Sequence, residues 1–143
     1  MSAPDPALQP FETLIGDWAT ESTHRIIGEP VTGTVSWEWL EGGRYLIQRS
    51  RYDHELLPDA LGVIGAPETG EGLVMEYFDS RGVRRTYGVS LEAGVLRTWR
   101  DAPGLAQRSE ALVASPSFES VIELAESAGA WVEDMRIVYR RAG

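Results

Sequence analysis

Nine breaks rich in glycine, proline and small polar residues cut this chain into segments of strand length, and that regular punctuation constrains the fold more than any other feature. The segments run over residues 17–27, 31–40, 44–53, 60–66, 73–79, 83–91, 95–101, 105–114, 118–126 and 130–141. Alternation and β-branched or aromatic content mark them as strands, and most breaks are short enough to be hairpin turns. Residues 54–59, HELLPD, make a connection much longer than a tight turn. Before the first strand, PFETLIG (10–16) spaces Phe11, Leu14 and Ile15 as a helical turn that would cover an opening, and residues 1–10 read as a flexible leader. No linker or repeat divides residues 11–143, so a single domain is expected. Ten meandering strands must hide two edges, and closing the sheet on itself does so. The fold class expected is therefore all-β: one antiparallel up-and-down barrel of about ten strands, wide enough to keep an interior cavity.

Charge and composition narrow the chemistry. All 13 basic residues are arginine, cysteine is absent, and the net charge is −9. Without lysine or cysteine there is no Schiff-base amine, no Walker-type phosphate lysine and no thiolate nucleophile. The negative charge and the scattered arginines argue against a nucleic-acid partner. No apolar run approaches a membrane span and no signal segment opens the chain, so a cytoplasmic protein with no membrane partner is expected. No metal site is expected either: Asp53, His54 and Glu55 are adjacent, but neighbours on an extended strand point to opposite faces. Arginine remains suited to anion recognition, since its guanidinium keeps its charge when buried and grips a carboxylate through two parallel hydrogen bonds.

A helical turn followed by Gly16-Asp17-Trp18 at the start of the first strand resembles the Gly-x-Trp signature of the calycins, the group that includes lipocalins, fatty-acid-binding proteins and nitrobindins. EWLEGGRYLIQR (38–49) and YFDSRGVRRTYGVSLEAGVLRTWRDAPGLAQR (77–108) look similar to an uncharacterised bacterial calycin-type family defined only as a domain of unknown function. The resemblance spans roughly residues 11–141 and implies a calycin barrel, but no reaction. It implies structural roles for Trp18, as the plug of the closed end, and for an arginine of the last strand packed across the indole. Arg141 fits better than Arg140, because it shares a strand face with Trp131, Met135, Ile137 and Tyr139. Nitrobindin-like members hold haem through a histidine late in the chain, whereas this sequence has none after His54. No cofactor is expected.

Alternation places Trp18, Thr20, Ser22 and His24 on one face, and an inward Trp18 makes that face the interior. For the next two strands the inward set is taken as Val35, Trp37, Trp39, Leu46, Gln48, Ser50 and Tyr52, since the opposite choice would bury Glu38, Arg49 and Arg51. A three-residue turn at 28–30 would invert that phase, so a bulge or a different turn is required. A two-residue turn at Ser80-Arg81 would set Glu76 opposite Arg85. Facing inward, that pair would place an arginine where a ligand carboxylate could reach it; facing outward, it would be an ordinary surface pair. Candidate ligand contacts are thus His24, Trp37, Trp39, Leu46, Gln48, Tyr52, Arg85, Tyr87 and Trp99.

The function expected is binding of a small apolar or aromatic molecule, with a carboxylate as one form, inside the barrel. The alternative is a cofactor-independent isomerase, cyclase or decarboxylase with His24 as catalytic acid/base and Tyr52 or Tyr87 as hydrogen-bond donor. A third possibility is a structural or protein-binding barrel with a filled interior. Nothing in the sequence specifies an oligomeric state.

Overall fold

The computed structural model describes residues 4–127 and 129–142. A 3-10 helix (Pro6–Leu14) leads into β1 (Gly16–His24), β2 (Ile27–Trp39), β3 (Leu46–Tyr52), β4 (Ala60–Gly65), β5 (Leu73–Asp79), β6 (Arg84–Glu92), β7 (Val95–Ala102), β8 (Leu105–Leu112), β9 (Ser117–Glu126) and β10 (Val132–Arg141). Each strand pairs antiparallel with the next, and β1 closes the ring against β10, giving one ten-strand barrel. Closure leaves no edge in need of a partner. The outer face is laced by cross-strand ion pairs, among them Arg49 with Glu38, Arg97 with Glu110 and Arg108 with Glu123. No helix among the described residues is long and apolar enough to cross a membrane.

The helix starts at Pro6, earlier than the expected turn at 10–16, so part of the segment read as a leader belongs to the barrel's plug. Asp5 caps it, accepting a hydrogen bond from the Ala7 N–H at 2.9 Å, while its own N–H donates to Gly43 O at 2.9 Å. Leu8, Phe11 and Leu14 then face the barrel and are buried. Trp18 sits beneath them, fully buried, its indole N–H donating to Leu14 O at 2.9 Å. Trp37, Phe118 and Tyr139 surround it with their rings, the nearest being Phe118 at 5.0 Å in edge-to-face geometry. The Arg141 guanidinium carbon lies 4.1 Å from the centre of the Trp18 ring. That guanidinium also donates to Ile15 O and Thr13 O, riveting the helix to the last strand.

Two turns differ from the sequence reading, and each sets the register of a wall. Between β1 and β2 the chain reverses at Arg25-Ile26, so that His24 pairs Ile27, while Gly28, Glu29 and Pro30 belong to β2. The register shifts between Ser22 and His24, and Trp18 comes to face Val35. A bulge is a place where proline, lacking an N–H, does no harm to a ladder. This keeps Val31, Val35 and Trp37 inward and buried. Between β5 and β6 the turn has three residues, Ser80-Arg81-Gly82, with Gly82 at φ 85° and Asp79 N–H bonded to Val83 O at 3.0 Å. The extra residue moves Glu76 from Arg85 to Thr86, whose hydroxyl donates to Glu76 at 2.9 Å on the outer surface. The expected Glu76 to Arg85 pair does not form. Tyr77 takes that place opposite Arg85.

Candidate functional site in the barrel

The helix blocks one end of the barrel; the other end, ringed by the turns at 25–26, 80–82 and 103–104 and the 53–59 loop, leads into a cavity of about 340 Å³. That is within the range of small-molecule sites. Trp37, Phe118 and Tyr139 line its plugged end, with Met75, Leu96 and Ile137 along the walls. HELLPD reaches partly over the opening. His54 Nδ1 accepts the Leu56 N–H at 3.1 Å, and Ser80 and Asp59 exchange two hydrogen bonds that tie this loop to the β5–β6 turn. Leu57 packs against the core while Leu56 stays exposed.

Six of the nine expected contacts, His24, Trp37, Gln48, Tyr52, Arg85 and Tyr87, line this cavity. Three do not. Leu46 and Trp39 face inward but pack in the core toward the plugged end, Leu46 fully buried and Trp39 against the same cluster. Trp99 stands on the outer face, 47% exposed. It pairs with Gly88 and lies so close that a Cβ there would be 2.2 Å from the indole ring, so the missing side chain makes its seat.

Part of the polar lining, Tyr77, Arg81 and Arg85, comes from the β5–β6 turn and the strands it joins. Tyr77 donates to Asp79 Oδ2 at 2.8 Å, and Arg81 Nη2 donates to the same oxygen at 2.7 Å. Enclosure alone would raise the Asp79 pKa, but hydrogen bonds from Arg81, Tyr77 and the backbone N–H groups of Arg81 and Val83 hold it far below the usual carboxylate range. Burial, followed by the bond to that carboxylate, raises the Tyr77 phenol. Asp79 is therefore a fixed anion already neutralised by Arg81. Arg85 is different. Its guanidinium makes a long 3.4 Å bond to Gln107 Oε1, which also accepts the Tyr87 hydroxyl at 3.0 Å, and it has no carboxylate partner among the described residues. The Tyr77 and Tyr87 rings meet edge to face at 5.8 Å beside it.

His24 is at the rim. Its Nδ1 accepts the Ile26 N–H at 3.3 Å, which leaves the proton of the neutral ring on Nε2, and Nε2 faces Asp134 Oδ1 at 3.5 Å. Arg25 Nε donates to the same oxygen at 2.8 Å. Asp134 reaches the rim because the β9–β10 register shifts between Glu133 and Met135. The sequence reading missed Asp134, Asp79, Tyr77 and Gln107. For Tyr77 a signal existed: Leu73, Met75 and Tyr77 form a more apolar face than Val74, Glu76 and Phe78. Among the described residues no three of His, Asp and Glu gather as a metal site.

Neither a protein-family model nor a curated protein matches this sequence. Among solved structures the barrel is similar to the crystal structure of Rv2717c from M. tuberculosis, with a TM-score of 0.67, 15% identity, and 99% of this chain and 100% of that chain covered. At that identity the likeness shows the fold alone.

Proposed function

We propose that this chain is a calycin-type carrier or sensor that binds a small aromatic or apolar acid inside the barrel. The observation that carries the reading is Arg85, a cation without a carboxylate partner among the described residues, beside an apolar and aromatic cavity. In a protein of net charge −9 the rim carboxylate Asp134 is already paired with Arg25, and Asp79 with Arg81. An arriving carboxylate would gain paired charge-assisted hydrogen bonds from Arg85, while the body of the ligand strips water from Trp37, Met75 and Phe118. The Trp18 and Arg141 plug supports the calycin-type reading, and the cavity's volume supports a binder over a filled structural barrel. His24 supports binding over acid/base catalysis, since both its nitrogens face protein partners at the rim.

Tryptophan emission tests this, because Trp37 lines the cavity. Titration with 4-phenylbutyrate and with 4-phenylbutanol should give saturable changes that are lost in Trp37→Phe, the acid binding at least tenfold tighter. Arg85→Gln should abolish that preference and keep alcohol binding. No saturable change with these compounds, nor with longer fatty acids and fused-ring aromatic acids, would defeat the proposal.

A further inference from the structure

One row of inward residues crosses four strands on the wall opposite β6: Tyr139 pairs Thr20, Thr20 pairs Gly33, and Gly33 pairs Tyr52. The middle of the row is low and its ends are tall. Gly33 has to be small, since a Cβ there would stand 2.2 Å from Arg51 O and 3.0 Å from Thr20 Oγ1. Both tyrosines line the cavity. Burial, opposed in part by a hydrogen bond from Ser50, pushes the Tyr52 phenol up to about 12. Burial, and then the charge that Tyr52 would carry, raises Tyr139. Each therefore remains a protonated donor at neutral pH. Between the two, the Thr20 hydroxyl is buried with no hydrogen-bond partner among the described residues. A buried hydroxyl without a partner costs on the order of 1–3 kcal/mol, so two phenol donors that line the cavity favour an occupant that brings an acceptor.

We infer that Tyr52 and Tyr139 form a two-donor subsite for a carbonyl oxygen of the ligand, across the barrel from Arg85. This rests on the small-molecule reading above and specifies its chemistry: the cargo carries a ketone, quinone or similar oxygen on its apolar body, apart from its acidic end. A plain hydrocarbon acid leaves the subsite unfilled.

The experiment titrates the full chain with benzophenone labelled with ¹³C at the carbonyl and with diphenylmethane, which has the same two rings and no oxygen. Benzophenone should bind about tenfold tighter, the yield of two modest hydrogen bonds, and its carbonyl resonance should move downfield on binding. Tyr52→Phe and Tyr139→Phe keep the rings and should each cost about threefold in benzophenone affinity alone. The double variant should bind both compounds equally, without the downfield shift, at an unchanged thermal midpoint. Equal affinities in the wild type, or a preference that survives in the double variant, would overturn the inference and leave the binding cavity standing. Failure of both compounds and of the phenylbutyrate series to bind would defeat the cavity reading, and this inference with it.

Discussion

Replacing Trp18 with alanine removes the centre of the plug. The side chain is fully buried, so about 200 Å² of apolar surface at ~25 cal/mol per Å² sets an upper bound of about 5 kcal/mol. Residual burial in the unfolded chain lowers that to about 3–4 kcal/mol. Losing the bond from the indole to Leu14 O adds about 1 kcal/mol, and the guanidinium above the ring about 0.5–1 kcal/mol, both overlapping with the packing term. The expected loss is therefore about 4 kcal/mol, in line with the ~3–5 kcal/mol seen when large aromatic side chains are truncated in cores. Against a total stability of about 5–15 kcal/mol the variant should still fold in the cold, so urea unfolding can measure the difference. Trp99→Ala is the control, because that indole is half exposed on the outer wall and should cost about 1 kcal/mol. A Trp18→Ala loss below about 1 kcal/mol, or one equal to the control, would refute the plug argument.

Arg141→Leu should destabilise by about 1–2 kcal/mol, since it removes both the cation above Trp18 and the two bonds to the helix; an unchanged urea midpoint would contradict this. Asp79 has a depressed pKa in the folded state, so its contribution is complete above the ordinary aspartate pKa of about 4 and is lost as pH falls through the folded value. Asp79→Asn should accordingly flatten the stability curve on its acid side, and an identical acid limb in the variant would count against the Arg81 and Tyr77 lock. The raised phenols act in the opposite direction: Tyr52, Tyr77 and Tyr139 stabilise the fold below about pH 10 and cease to do so as pH rises toward their folded values. Absorbance at 295 nm should then show their ionisation delayed until the barrel opens. Gly88→Ala should displace Trp99 and shift its emission to the red, which a Trp99→Phe background would remove.

Ten strands and six of the cavity residues were legible because they rest on period-2 alternation and on which face tolerates charge, whereas the Trp18 plug was expected only from the resemblance to calycins. Trp37 and Gln48 face inward because their neighbours Glu38 and Arg49 pair with each other on the outside. Register was harder, since one residue more or less in a turn inverts a wall. The Gly82 turn did this to Glu76 and Arg85, and alternation cannot foresee it when Ser80-Arg81 and Ser80-Arg81-Gly82 both make acceptable hairpins. Asp134 was hidden by a bulge, a feature without a local sequence signature here. Depth was hidden as well: Trp39 and Leu46 have the right direction, but their height near the plug makes them core. Trp99 is exposed because Gly88 across the ladder offers a flat seat on the outer face.

A crystal structure of the protein soaked with 4-phenylbutyrate tests the binding cavity most directly. Its phenyl ring should lie among Trp37, Met75 and Phe118, with the carboxylate on Arg85 and the Tyr87 to Gln107 bond retained or exchanged for one to the ligand. An interior closed by repacked side chains, with the compound absent or seated only on the outer Trp99 face, would contradict it.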